Sequence, residues 1–314
     1  MNSVSLITGA RLHFGLLVQG PPSQWTYGGL GMMIDQPGFA LRVRFSETNV
    51  FHATPPTAAR LEQMTARCLP PGAKVPVEIT LTSEIPAHAG LGSGTQLGLA
   101  LAAALSRLHG EPPPPVSELA NRSGRAERSA IGTVGFEAGG LIAQGSRADD
   151  GTLRPVVTRC DFPPDWRFVL VRPREHQGLF GESERNAFRE MPPMPDAQLR
   201  HLLGLQSELM TAAATCRFEA FSRDLYEFGQ QVGGYFSQVQ GGVFASPLME
   251  QLAQRLRAAG ITGVGQTSWG PTLFALCESQ QSAESVAEMV RDSIDLRDCE
   301  VRIVRAMNRG RNIE

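Results

Sequence analysis

Along Ala40–Ser46 apolar and polar positions alternate, Leu41, Val43 and Phe45 being separated by Arg42 and Arg44, and Leu6–Phe14 likewise reads as a strand. The same alternation runs along Val75–Thr82, with Val77, Ile79 and Leu81 on one side. A period of two predicts strands with one covered face. The pattern then changes. Leu97–Leu105 is almost all leucine and alanine, the composition of a helix enclosed by protein, and the predicted helix continues to about His109. Between the third strand and this helix lies Ile85-Pro86-Ala87-His88-Ala89-Gly90-Leu91-Gly92-Ser93-Gly94-Thr95-Gln96. The unit is strand, glycine loop, helix.

Four consecutive prolines, Pro112–Pro115, form a connector that no helix crosses. A polar helix is expected from Ser117 to about Arg128, then strands at Leu141–Gln144, Leu153–Arg159 and Arg167–Val171. Helical periodicity dominates Ala197–Thr215 and Phe218–Val239. It is followed by helix Leu248–Ala259, strands Ile261–Gln266 and Thr272–Cys277, helix Ala283–Asp292 and strand Glu300–Arg305. With the inserted helices set aside, this order is β-α-β-β-α-β, the split arrangement of ferredoxin-like domains. The expected fold class is α+β in two domains, residues 1–164 and 165–314, divided at the turn Phe162-Pro163-Pro164-Asp165.

The 314 residues include 33 glycines and 22 prolines, well above ordinary usage, which fits a chain with many tight turns and long glycine-bearing loops. A net charge of -2 gives no electrostatic reason to expect nucleic acid or an anionic membrane as partner. Lys74 is the sole lysine among 29 basic residues and lies outside every glycine-rich loop. A P-loop with its phosphate-binding lysine is therefore excluded, and anions must be met by arginine, backbone amides or helix N-termini. The five cysteines form no Cys-x-x-Cys pair, which points to a reducing compartment. The N-terminus lacks a basic stretch followed by an apolar one, and Leu97–Leu105 is too short to span a bilayer, so a soluble cytoplasmic protein is expected.

The glycine loop is the strongest chemical signal. Gly90, Gly92 and Gly94 remove side chains where backbone approaches a ligand, and Ser93, Thr95 and Gln96 add polar groups as the helix starts. With Leu91, this stretch is the expected phosphate-binding site. The alternative is a tight turn with Ser or Thr capping the helix. The glycine spacing does not match the Gly-x-Gly-x-x-Gly of dinucleotide-binding folds.

Pro86-x-x-x-Gly90-Leu91-Gly92-Ser93 resembles the second signature of the GHMP kinase superfamily. Ala10-Arg11-Leu12-His13-Phe14-Gly15 resembles its N-terminal signature, and Gly263–Thr272 its third, glycine-rich one. The three occur in the expected order across the chain. Departures from the kinase pattern point to one branch. Gly94-Thr95-Gln96 replaces Ser-Ala, and Gln266-Thr267-Ser268-Trp269-Gly270-Pro271 replaces a Ser-Gly-x-Gly pattern. With Arg128-Ser129-Ala130-Ile131-Gly132-Thr133 and Gly135-Phe136-Glu137-Ala138-Gly139-Gly140, these features resemble the β-ribofuranosylaminobenzene 5′-phosphate synthases, although Ala130 stands where that family has glycine. Tyr27–Gly31 and Gln177–Glu182 are similar to it as well.

The resemblance implies 5-phosphoribosyl 1-diphosphate and 4-aminobenzoate or 4-hydroxybenzoate as substrates, with release of carbon dioxide and diphosphate. It also implies Mg²⁺ as cofactor, a homodimer, and a place at the start of tetrahydromethanopterin synthesis. An ATP-dependent small-molecule kinase of the same superfamily is the alternative. For the catalytic set the resemblance implies Glu137, in the position before Gly-Gly where the kinases carry an acid, with Arg128 and His13. Arg11, Arg125, His88, Ser268 and Trp269 are the expected substrate-binding residues. Arg11 and His13 share one face of their strand by its period of two. His13 either contacts substrate or is a hydrogen-bonded structural histidine, and Trp269 either stacks on the benzoate ring or packs in the core. Arg125 and Arg128 either face an anion or belong to an exposed polar face.

Overall fold

The computed structural model describes residues 3–20, 26–73, 76–124, 129–147, 153–174, 186, 191–293 and 298–314. In it the strand expected at Leu6–Phe14 lies within β1 (Val4–Gln19), paired antiparallel with β2 (Thr26–Phe45) from Val4↔Val43 to Gln19↔Thr26. Register shifts after Thr8 and after His13 bracket the segment that carries Arg11 and His13. Bulges of this kind re-aim side chains beside functional sites. β2 begins well before the predicted Ala40. Its first half, rich in Gly and Met, is held between β1 and β5 (Leu141–Arg147) and is buried on both faces from Gly29 to Ile34, which erases the alternation.

β3 (Val50–His52) and β4 (Val77–Ser83) extend the sheet, whose order is β11-β1-β2-β4-β3, with β5 also on β2 and β6 (Leu153–Cys160) on β5. Helix α1 (Pro55–Cys68) opens on two prolines in its first turn, where their missing amides leave no bond unmade. α2 (Ser93–Leu108) is the predicted enclosed helix, with Leu97 and Leu99–Leu105 fully buried. α3 (Val116–Ser123) stops five residues short of the predicted Arg128, because Gly124 turns left-handed and caps it. α4 (Ile131–Ala138) follows, a short helix that apolar periodicity did not reveal.

The second half builds β7 (Arg167–Pro173), α5 (Asp196–Ala214), α6 (Phe218–Gln240), α7 (Pro247–Ala258), β8 (Val264–Gln266), β9 (Leu273–Cys277), α8 (Gln280–Ser293) and β10 (Cys299–Arg305). The strand order β10-β7-β9-β8 places the fourth strand beside the first and the third between first and second, the ferredoxin-like split unit. Val169, Val171, Leu273 and Ala275 pack with α7 and α8 on one face of this sheet. Phe168, Leu170, Phe274 and Leu276 join the main core, which runs on through α5 and α6 into the first sheet.

The expected division at Phe162–Asp165 is therefore no loose linker. Phe162 is buried and meets Trp166, Phe168 and Phe221 at ring centroid distances of 5.3, 5.7 and 5.3 Å. Nor does the second domain own the chain to residue 314. After β10 the chain returns to the first sheet: Ala306 bridges Ile34, Met307 N–H donates to Met33 O, and β11 (Asn312–Ile313) pairs with β1. Asn308 fastens this return. Its amide accepts the Phe162 N–H and donates to the Phe162 carbonyl, both at 2.8 Å. Asn308→Ala leaves both of these main-chain groups without partners, so a loss of about 2 kcal/mol is expected. It should be read as a lower urea midpoint at unchanged m-value; an unaltered midpoint would show that the clasp contributes nothing.

Candidate active site

Arg11 and His13 leave β1 on the same side and look into a cavity of about 280 Å³ between the two sheets' domains. Gly92, Gly94 and Thr95 at the start of α2, Ser129 just before α4, the loop Gln266–Trp269 and one face of α6 complete its walls. Gly92 is the N-cap of α2 in a left-handed conformation (φ 74°), and the first helix bonds run from Thr95 N–H and Gln96 N–H to its carbonyl, both 3.1 Å. The amides of Ser93 and Gly94 thus have no intrahelical acceptor. They stand at the positive end of a 16-residue helix, favourable ground for an anion. A Cβ on Gly92 would lie 3.3 Å from Arg11 Nε, so the missing side chain lets the guanidinium stem lie on the loop.

The other predicted loop residues have different work. Gly90 makes way for the third motif, since a Cβ there would collide with Thr267 O and come within 2.9 Å of Gly270 O. Leu91 points into the core, and its carbonyl accepts the Arg11 N–H at 3.1 Å. Gln96, expected to contact phosphate, is fully buried: Thr8 Oγ1 donates to its Oε1 at 2.9 Å and its Nε2 donates to Gly132 O at 2.8 Å. It cross-links β1, α2 and α4.

His13 is 3% exposed. Its N–H donates to Thr267 Oγ1 at 2.9 Å and its Nε2 lies 3.1 Å from Ser129 Oγ, which in turn accepts the Ile131 N–H at 3.3 Å. Nδ1 has no partner among the described residues. Burial first, and then the charge of Arg11, hold the imidazole well below its usual value, so the ring is neutral at pH 7. Ser268 holds a positive φ of 54° and donates its N–H to His13 O at 2.8 Å. Trp269 lines the cavity and meets Phe236 edge-to-face with centroids 4.7 Å apart. The face of α6 went unseen in the sequence, although Gly229, Val232, Gly233, Phe236 and Gln240 reach the cavity at the i, i+3, i+4, i+7, i+11 spacing of one helix side.

Two expected residues stand elsewhere. His88, also at positive φ (56°), does not line the cavity and sits near Arg60; burial, then that arginine, lowers its imidazole. Glu137 is exposed near the far end of α4, roughly 9 Å along the axis from Ile131, with the charge of Arg311 nearby. The residue that α4 turns toward Thr95 and Arg11 is Gly132, where a Cβ would be 3.2 and 3.7 Å from their side chains. Arg125 and Arg128 lie outside the described residues, as do Gln177–Glu182; Gly124 and Ser129, which flank the two arginines, both line the cavity.

Among the described lining residues none is acidic. Nor do the described residues contain a group of three His, Cys, Asp or Glu able to hold a metal. The oxygen donors among the described lining residues, the Thr95, Ser129 and Ser268 hydroxyls, do not make a carboxylate cage for a divalent ion such as Mg²⁺. Among the described residues no helix is long and apolar enough to cross a membrane.

Because the folded His13 titrates below the unfolded ring, its contribution to stability is complete above about pH 6.5 and is lost as pH falls toward the folded value. The stability difference between wild type and His13→Gln should therefore shrink between pH 7 and pH 5 in urea titrations. A difference that stays constant or grows in acid would contradict the neutral buried ring.

The family model for the GHMP kinases N terminal domain matches residues 57–140, and that for the GHMP kinases C terminal matches residues 209–295. Among solved structures, homoserine kinase from Cytophaga hutchinsonii aligns over 100% of this chain and 98% of its own with a TM-score of 0.64 at 18% identity. Mevalonate pyrophosphate decarboxylase from Streptococcus pyogenes aligns over 98% and 97% with a TM-score of 0.69 at 12% identity. These likenesses carry the fold. β-Ribofuranosylphenol 5′-phosphate synthase of Methanothermobacter thermautotrophicus is 28% identical over 309 residues, 90% of this chain and 92% of the relative. Its counterpart from Archaeoglobus fulgidus is 30% identical over 325 residues, 98% of this chain and 99% of the relative. The agreement of near-complete relatives with both halves of the fold makes this chain an enzyme of the β-ribofuranosylphenol 5′-phosphate synthase family, built on the GHMP kinase fold.

Proposed function

We propose that the enzyme joins 5-phosphoribosyl 1-diphosphate to 4-aminobenzoate or 4-hydroxybenzoate, releasing diphosphate and carbon dioxide, at the entry to tetrahydromethanopterin synthesis. The observation that carries this reading is one cavity lined by two unlike sets of groups. Arg11 and the start of α2 suit an anion, Trp269, Phe236 and Val232 suit an apolar ring, and no carboxylate is among the described lining residues.

The chemistry uses both sets. As the bond from the anomeric carbon to the diphosphate oxygen breaks, negative charge grows on the leaving group, and the Ser93 and Gly94 amides with Arg11 stabilise it. Donors preset in this way are worth about 3 kcal/mol each in the transition state. When bound with the diphosphate, Mg²⁺ supplies further countercharge. The para amino or hydroxyl group makes the carboxyl-bearing ring carbon electron-rich, and that carbon bonds to the sugar. The carboxylate then departs as carbon dioxide, its bonding pair restoring the aromatic ring. Trp269 and Phe236 would hold the ring at the reacting distance, a positioning effect. The neutral, buried His13 holds Ser129 through Nε2 and steadies the strand that carries Arg11.

Incubation with the diphosphate sugar, Mg²⁺ and carboxyl-labelled 4-aminobenzoate or 4-hydroxybenzoate should release labelled carbon dioxide and equimolar diphosphate without ATP. No gas from either arene, or turnover only with ATP, would reject the reading. Two variants probe the assignment of charge. Arg11→Met should lower kcat/KM by about 100-fold, whereas Glu137→Gln should leave it unchanged because that carboxylate is outside the cavity. A loss of rate in the Glu137 variant with its melting temperature intact would restore the acid to the mechanism.

A further inference from the structure

Glycine is the poorest helix former after proline, yet α6 carries Gly229, Gly233 and Gly234 in its interior. A Cβ on Gly233 would lie 2.7 Å from Val243 O, so that glycine serves packing. Gly234 is exposed, does not line the cavity, and has no packing reason. Gly229 differs from both. It is half-buried and lines the cavity, and a Cβ built on it would meet nothing within 4 Å. The empty space beside it is the cavity itself. Helix stability is given up at Gly229 for room, not for a backbone contact.

The composition of the α6 face says which molecule the room suits. Val232 and Phe236, with Trp269 against Phe236, are apolar, while the anion-binding groups stand on β1 and α2. Gly229 and Phe236 are two turns apart, roughly 10 Å along the axis, a span that one benzene ring with its two para substituents lies along. Resting on the reading above, we infer that Gly229 is a specificity-determining position: its bare backbone forms the floor of the slot for the para-substituted benzoate, and the size of residue 229 sets how large an arene is accepted.

The test is steady-state kinetics of wild type, G229A and G229L with each substrate varied in turn. Wild-type release of carbon dioxide tests the assigned reaction; the variants test the slot. G229A should raise the KM for the arene about 10-fold and G229L about 100-fold. The KM for the diphosphate sugar should stay within about twofold in both. G229A should keep or raise the melting temperature, since alanine favours the helix, so its kinetic effect cannot be ascribed to unfolding. Should G229L fail to fold, G229A and G229S carry the comparison. An active wild type whose variants show an unchanged arene KM, or a raised KM for the sugar diphosphate instead, would overturn the inference while leaving the reaction assignment standing. A wild type that releases no carbon dioxide would overturn both.

Discussion

The hydroxyl of Thr267 joins three chain segments that are remote in sequence. It accepts the His13 N–H at 2.9 Å and donates to Gly90 O at 3.0 Å, while the Thr267 amide donates to Thr272 O at 3.0 Å. Thr267 is fully buried, so each of these groups would otherwise be a desolvated orphan. Thr272, equally buried, repeats the tie one residue upstream by donating to Ala89 O at 2.8 Å. These bonds fix the third motif, from the second domain, onto β1 and the glycine loop of the first. Gly92 and Arg11 are placed by this junction, and with them the mouth of α2.

That junction explains what sequence reasoning could and could not see. The glycine loop and its helix were legible because a strand, a glycine cluster and an Ala/Leu helix follow one another within a short stretch, and local chemistry dictates local form. The division of labour inside the loop was not. Gly90 and Gln96 read as ligand groups because they are neighbours of ligand groups, but Gly90 faces Thr267 and Gln96 faces Thr8 and Gly132, partners supplied from elsewhere in the chain. Glu137 was misplaced for a related reason. Its distance from the Gly139-Gly140 pair is sequential, whereas the helical turn of α4 gives the cavity-facing position to Gly132.

The strands with one covered face were also readable, whereas the first half of β2 was not, because burial on both sides removes the alternating signal. The ferredoxin-like order survived two inserted helices, and one of these, α6, became a wall of the cavity. Its cavity stripe combines glycine, valine, phenylalanine and glutamine. No hydrophobic period distinguishes such a face from one that packs in a core.

The charge pattern has its own logic. The described cavity gathers one guanidinium, oriented amides and a neutral imidazole, and keeps carboxylates away. A carboxylate set among these donors would oppose their effect on an anion.

The pairing of Leu6 with Ile313 closes the sheet with residues from opposite ends of the described chain. Synthesis on a ribosome is vectorial, so β1 lacks its last partner until residues 312–313 have been made. The first domain can collapse around α2 early, but the edge beside β1 stays open until residues 312–313 have left the exit tunnel. An unpaired edge of this kind is what chaperones shield and what aggregating chains exploit; here the interval of exposure is set by the length of the second domain.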